Sequence, residues 1–306
     1  MSQKIVFMGT PEFSVPTLKL LLKSEHRILA VYSQPPTKAH RGQKISSSSV
    51  ENFAKKKALN VRTPLTLDSD EEYDFMKNLK PDIVVVIAYG KIIPKRFLNL
   101  AKHGFINVHA SLLPKWRGAA PIQRSIMNLD SETGISIMKV VEELDAGPVM
   151  YQAKIVINEN TDTQTLTQVL SQLGAKALLD SISKIENGKA KFKEQNHNQA
   201  TYAKKISKAE GKIEWNESAK KVLAKINGLN PNPGAWFEYK NERYKVWKAE
   251  IVNKSGKIGT ILNDQLIVSC KDQAVQILEI QKEGKSRQTT EQFLLGNKIN
   301  QGENIA

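Results

Sequence analysis

The apolar positions in the first part of the chain fall into short runs separated by amphipathic stretches. Lys4-Ile5-Val6-Phe7-Met8 forms one run and stops at Gly9-Thr10-Pro11; Val15, Leu18, Leu21 and Leu22 then recur at helical spacing. Strand, tight turn and helix are therefore predicted in succession. A second apolar run covers 28–32. Residues 83–88 (Ile-Val-Val-Val-Ile-Ala) are rich in β-branched side chains without polar alternation, as expected of a parallel strand buried on both faces. Strands are also predicted over 105–109 and 133–138, with helices over 48–57, 71–79 and 123–127. Strands alternating with helices build an open α/β sheet, whose ligands bind beyond the carboxyl ends of the strands.

Leu166, Val169, Leu170, Leu173, Ala177, Leu178, Ile182 and Ile185 keep a helical period over 164–187, and Asn187-Gly188 ends it. Residues 188–203 are polar and poor in large apolar groups, and read as a linker. Beyond 204 the pattern changes. A helix over 219–226 precedes the turn signal Asn230-Pro231-Asn232-Pro233-Gly234. Short strands follow over 235–239, 243–249, 259–262, 265–269 and 274–280. Five strands in so short a stretch suggest a small barrel. The predicted fold class is α/β: an N-terminal Rossmann-like, open, parallel-rich sheet with helices on both faces, plus a small C-terminal OB-like β-barrel. The predicted domains are 1–187, a linker over 188–203, and 204–306.

Composition adds limits rather than detail. The 306 residues are 40% apolar and 25% charged, which suits a globular chain. The lone Cys270 excludes an intrachain disulfide and suits a reducing cytoplasm. The apolar run at 5–8 is too short for a signal peptide, and no stretch of ~18 apolar residues is available for a membrane span. The balance of 45 Lys+Arg against 31 Asp+Glu gives a net charge of +14, which attracts polyanions. A lysine-rich proteome would produce the same excess, and no tail carries it alone.

Candidate chemistry concentrates in Asn107-Val108-His109-Ala110-Ser111-Leu112-Leu113-Pro114-Lys115-Trp116-Arg117-Gly118. Asn107 and His109 are two apart, so on a strand they share a face. They stand near the strand's carboxyl end. Asn and neutral His can donate to a developing oxyanion, and His can also move a proton. Asp145, in Glu143-Leu144-Asp145-Ala146-Gly147-Pro148, supplies a carboxylate on a tight turn. Each residue alone also fits a structural role, as a strand cap or turn former. Gly9-Thr10-Pro11-Glu12 lacks the glycines of a dinucleotide fingerprint, and no metal-ligand spacing such as His-x-x-x-His is present.

Together, Asn107, His109 and Asp145 with Ser111–Pro114 and Arg117-Gly118-Ala119-Ala120-Pro121-Ile122 resemble the folate-dependent formyltransferase family. The likeness extends to Met8-Gly9-Thr10-Pro11-Glu12-Phe13, Gln34-Pro35, Arg41-Gly42, Val86-Ile87-Ala88-Tyr89-Gly90, Thr201-Tyr202-Ala203-Lys204-Lys205, Asn230-Pro231 and Val246-Trp247-Lys248-Ala249, nearly the whole chain. With a C-terminal domain of this size it points to the members that act on charged initiator tRNA. The resemblance implies a cytoplasmic, monomeric enzyme without metal. It would move the formyl group of 10-formyltetrahydrofolate, its co-substrate, onto the α-amino group of methionyl initiator tRNA. Asn107 and His109 would stabilise the formyl oxygen, and Asp145 would orient His109 and take a proton from the attacking amine. Ser111, Leu112, Leu113 and Pro114, with the Tyr89-Gly90 turn, would hold the folate.

Residues 33–50 form a long polar segment with Lys38, Arg41 and Lys44 and no acid, suited to an RNA end if it is not simply a solvated loop. Trp236, Phe237, Tyr239, Tyr244 and Trp247 are interleaved with Lys240, Arg243, Lys245 and Lys248. Arg243, Lys245 and Lys248 are the expected tRNA contacts there, while part of the aromatic set would fill the barrel core. Because the triad and the folate loop precede residue 150, 1–187 is expected to fold and bind folate alone. Two other readings share these features: formyl transfer to a small-molecule amine, and RNA binding without catalysis.

Overall fold

The structure is a computed structural model that describes residues 2–39 and 44–306. The chain packs into two compact units that do not follow chain order. The first comprises Met1–Gly118, Gly134–Ile155 and Thr167–Tyr202; the second comprises Ala119–Thr133, Val156–Leu166 and Ala203–Ala306.

The first unit is built on β1 (Lys4–Gly9), β2 (Arg27–Tyr32), β3 (Thr37–Ala39), β4 (Lys44–Ser46), β5 (Val61–Arg62), β6 (Ile83–Ile87), β7 (Phe105–His109), β8 (Arg117–Gly118), β9 (Glu132–Lys139) and β10 (Val149–Val156). Seven of these form one sheet in the order β10-β9-β7-β6-β1-β2-β5. The pairs β1–β2, β1–β6, β2–β5 and β6–β7 are parallel, and β7–β9 is antiparallel. All five residues of β6 are buried, as its unbroken apolar run requires of a strand with neighbours on both sides. β3 and β4 pair with each other. The edge strand β10 is not predicted from the sequence; its side chains are half-buried or exposed throughout, so no apolar run marks it.

Helices α1 (Val15–Leu22), α2 (Ser49–Lys56), α3 (Asp70–Leu79) and most of α5 (Thr163–Glu186) accompany this sheet. Ser48 and Ser69 cap α2 and α3 by accepting from the amides of Glu51 and Glu72, satisfying donors that the first turn leaves free. Gly174 of α5 faces β7: a Cβ there would lie 2.7 Å from Val108 Cγ1. That position admits the helix against the strand carrying Asn107 and His109.

In the second unit, α4 (Pro121–Met127) lies against α6 (Ala219–Leu229), where a Cβ on Gly228 would meet Met127 Cγ at 2.6 Å. The two-residue strand β11 (Tyr202–Ala203) precedes α6 in the chain, and the strands β12 (Ala235–Tyr239), β13 (Glu242–Val252), β14 (Ile267–Ser269), β15 (Ala274–Lys282) and β16 (Gln288–Thr289) follow it, with α7 (Thr290–Gly296) after them. Strands β12 to β16 form an antiparallel, curled half-barrel in the order β12-β13-β15-β14, with β16 also on β15. Register shifts at Val246/Lys248 and Lys248/Ala249 are bulges that bend a strand. The core gathers Trp215, Val222, Phe237, Tyr244, Val246, Ile277 and Phe293, with Phe237 and Tyr244 stacked at 5.5 Å. The predicted strand over 259–262 makes only bridges, Thr260 with Asn304 and Ile261 with Val268. The α/β class and the parallel-rich sheet agree with expectation.

Candidate active site

β7 ends at the edge where a parallel sheet receives its ligand. Asn107 pairs with Val86 on one side and Met138 on the other, and His109 pairs with Ser136. His109 is 6% exposed. Its Nε2–H donates to the Trp116 carbonyl at 2.9 Å, since a carbonyl can only accept. That bond turns Nδ1 toward Asp145, whose Oδ2 is 3.6 Å away. The Gly118 amide donates to the same Oδ2 at 2.8 Å, and Asn107 Nδ2 lies 3.5 Å from Oδ1. The three predicted residues therefore converge, and a proton on His109 Nδ1 would sit between ring and carboxylate. Asn107 keeps a second N–H for another acceptor.

Asp145 has φ +47°, a left-handed conformation that costs of order 1–3 kcal/mol for a residue with a Cβ. Neighbouring contacts hold it there. At Gly147 a Cβ would lie 1.9 Å from the Lys139 carbonyl, so only glycine lets the turn lie on the end of β9. Gln195 Nε2 donates to the carbonyls of Asp145 and Gly147 at 2.8 and 2.7 Å. Gln195 Oε1 accepts from Arg117 Nε and Nη2 at 3.2 and 2.9 Å. Arg117 is 1% exposed, and its Nη1 lies 3.3 Å from Glu143 Oε1. Gln195 was absent from the predicted site because it stands in the polar 188–203 stretch. Arg117 stood in the shared motif without a role.

The 111–114 loop is fastened from beneath. Ser136 Oγ donates to the Ser111 carbonyl at 2.6 Å and accepts from the Leu113 amide at 3.0 Å. Gln152 Nε2 donates to the Leu113 carbonyl at 2.8 Å and to Ser136 Oγ at 2.9 Å. Leu113 is buried, while Leu112 and Pro114 are half-buried; the Leu113–Pro114 peptide is cis. On the adjacent strand, β6, the chain turns at Tyr89-Gly90. The Tyr89 ring is buried in the core with Val86, Phe97 and Phe105, so only its backbone and Gly90 are available to a ligand. Thr10 Oγ1 and Gln34 Nε2 both donate to the Tyr89 carbonyl, at 2.8 and 3.2 Å.

Of the expected RNA contacts, Arg41 lies outside the described residues, and Lys38 and Lys44 are described by their backbone alone. In the second unit the aromatic set divides. Phe237, Tyr239 and Tyr244 are core. Trp236 and Trp247 are half-buried and carry cations. The Arg243 guanidinium lies 4.0 Å from the Trp236 ring centre, and Lys245 and Arg287 lie 5.6 and 5.3 Å from that of Trp247. Lys245 Nζ donates to the Pro233 carbonyl at 2.8 Å. Burial, then the charges of Arg243 and Lys208, hold its pKa below the ordinary lysine range. Lys248 is exposed. Among the described residues no group of three or more His, Cys, Asp or Glu is placed to hold a metal ion, and no helix is long and apolar enough to cross a membrane.

A parallel-rich α/β sheet with Asn, His and Asp gathered at its carboxyl edge, followed by an antiparallel half-barrel, is an α/β fold with its polar groups placed where such sheets bind ligands. The chain belongs to the formyl transferase family: the family described as Formyl transferase matches residues 3–182, and Formyl transferase, C-terminal domain, matches residues 205–298. More particularly, relatives that match it over its full length include methionyl-tRNA formyltransferases. That of Pelagibacter ubique is 52% identical over 307 residues, covering 100% of this chain and 99% of its own. Among solved structures, the N-formyltransferase of Helicobacter canadensis, in complex with folinic acid and dTDP-3-aminofucose, has a TM-score of 0.69 at 19% identity, covering 92% of this chain and 100% of its own. HypX from Aquifex aeolicus, in complex with tetrahydrofolic acid, has a TM-score of 0.67 at 16% identity over 99% of this chain; the chain spans 51% of the length of HypX. These two likenesses are of fold.

Proposed function

We propose that this protein transfers the formyl group of 10-formyltetrahydrofolate to the α-amino group of methionine esterified to initiator tRNA. The observation that carries the reading is the convergence of Asn107, His109 and Asp145 at the sheet edge, in a chain that matches a methionyl-tRNA formyltransferase from end to end. The amine attacks the formyl carbon, a C–N bond forms, and the formyl oxygen gains negative charge. The second N–H of Asn107 donates to that oxygen, and His109 adds a second donor by sharing its Nε2–H with it. Asp145 takes the proton lost by the attacking nitrogen and steadies a proton on His109 Nδ1. As the bond from the formyl carbon to the folate nitrogen breaks, that nitrogen takes up the proton that Asp145 received, so the carboxylate is restored.

The 111–114 loop suits a flat heterocycle. It offers backbone groups and two half-buried apolar side chains on a fixed support. The Tyr89-Gly90 backbone provides the neighbouring wall. Residues 1–187 carry this chemistry and 204–306 bind tRNA, joined by 188–203. Lys38, Arg41 and Lys44 meet the acceptor end, and Arg243 and Lys248 meet phosphates elsewhere on the tRNA, while Lys245, half-buried and bonded to the Pro233 carbonyl, braces that surface from within. The enzyme acts in the cytoplasm as a monomer without metal. The cation-bearing Trp236 and Trp247 support RNA over a small amine as acceptor, because aromatic and basic groups interleaved on one strand pair suit nucleic acid. The test is formyl transfer from 10-formyltetrahydrofolate to charged initiator tRNA, charged elongator tRNA and an amino-sugar nucleotide. Transfer to the initiator alone is expected. Equal transfer to the elongator, or transfer to the sugar alone, overturns the reading.

A further inference from the structure

The hydrogen bonds around Asp145 converge on one side chain from outside the predicted site. Gln195 is 8% exposed and uses both ends of its amide. The Nε2 end holds the carbonyls of Asp145 and Gly147. The Oε1 end takes two N–H groups from the buried Arg117 guanidinium. Arg117 follows Trp116, whose carbonyl fixes the His109 ring, and precedes Gly118, whose amide holds Asp145 Oδ2. Gln195 thus ties the segment that orients the imidazole to the turn that presents the carboxylate. Glu143, the acid nearest the Arg117 guanidinium, is 60% exposed. The neutral amide takes up the guanidinium's inner N–H groups and leaves Asp145 as the carboxylate facing His109.

We infer that Gln195, acting with Arg117, is a positioning residue for formyl transfer: it sets the distance and angle between Asp145 and His109. This inference rests on the function proposed above. A side chain that supports a reacting pair through its backbone should act on the rate of the step rather than on substrate affinity. The amide is specific to the task. Glutamate keeps an acceptor for Arg117 but cannot donate to the two carbonyls, and it places a second negative charge beside the turn. Leucine keeps much of the volume and neither function.

The test compares Q195L, Q195E, D145N and the double variant Q195L/D145N with the parent enzyme, using 10-formyltetrahydrofolate and charged initiator tRNA. For Q195L we expect kcat to fall on the order of ten- to a hundredfold, within the cost of disturbing outer partners of a site, with both KM values nearly unchanged. Q195E should also be slow, with its pH–rate profile displaced by the added charge. The double variant should be little slower than D145N, because groups that act as a unit are not additive. A Q195E enzyme with the parent's kcat and pH profile overturns the inference, as does a double variant whose loss is the product of the two single losses. If Q195L does not fold, Q195E, which preserves size and the Arg117 contact, decides alone. Inactivity of the parent enzyme toward both folate and charged tRNA would instead overturn the proposed function, which separates the two failures.

Discussion

Replacing Asp145 or His109 by alanine removes groups whose value is realised as charge moves, so kcat should fall ~10²–10⁴-fold while tRNA affinity is kept. Single-turnover rates beside a tRNA binding titration check this; an Asp145→Ala enzyme within about tenfold of the parent would remove the assigned role. Gly147→Ala makes a different prediction. Its methyl would meet the Lys139 carbonyl at 1.9 Å, and backbone cannot yield as a flexible side chain does. The turn carrying Asp145 must lift, so activity should fall by an order of magnitude or more even though no polar group is lost. Kinetics together with thermal unfolding would show whether the damage stays at the turn. The proximity of Asn107 and His109 was legible because strand alternation puts residues two apart on one face. Asp145 became legible only beside them. Gln195 was not, since a side chain that braces backbone carbonyls leaves no period, spacing or charge pattern to read.

The elements divide in the same way. β6, β7, α5 and β12 were legible where apolar runs or helical periods are set by burial. β10 was not, because it lies at the sheet edge with exposed side chains. α7 was missed although Thr289 and Gln292 form a reciprocal capping box at its start. Short as it is, it also relies on Phe293 entering the core, a tertiary contact with no local signature. The 259–262 segment has apolar residues but pairs too briefly to be a strand. That region is fastened by Glu303, whose carboxylate accepts from the Tyr239 hydroxyl, from the Asn300 amide at 2.8 Å and from Lys240 at 3.1 Å. The Tyr239 hydrogen bond, then that amide and Lys240, lower its pKa to about 2. A carboxylate depressed on folding stabilises the protein above its unfolded pKa and loses that contribution as pH falls through the folded value. Glu303→Gln should therefore lower the urea midpoint at neutral pH. The difference from the parent should shrink as pH drops from about 5 toward about 2. A difference that stays constant over that range would mean that geometry, not charge, does the fastening.

At the scale of the molecule, packing and chain order diverge. Residues 119–133 and 156–166 belong with the second unit, so a chain cut at 187 keeps α4 and loses α6. Ile126, 4% exposed and beside Gly228 of α6, would lose cover worth about 1.5–3 kcal/mol if its side chain were left fully open. The independent 1–187 fragment expected from motif positions should consequently unfold more readily than the whole chain and bind apolar dyes, with folate binding weakened by instability rather than by lost contacts. Calorimetry on fragment and full chain checks this. The net charge of +14 has a separate consequence. It speeds encounter with any polyanion, so affinity for tRNA alone cannot show which cations touch it. Salt dependence can, because each phosphate contact releases counterions and adds about one unit to the log–log slope. Lys245 is half-buried, bonded to the Pro233 carbonyl and depressed in pKa by its surroundings, so it is poorly placed to reach a phosphate. Arg243, by contrast, is exposed, spread on the Trp236 ring and paired with an exposed Glu238 at 3.7 Å, a long surface pair that a phosphate can displace. Arg243→Ala should flatten the slope by about one unit, Lys245→Ala by much less, and neither should alter folate affinity. Arg41→Ala should flatten it likewise and also raise KM for the charged tRNA, since its loop is assigned to the acceptor end. Identical slopes for the parent, Arg41→Ala and Arg243→Ala would place the tRNA on other cations of this basic surface.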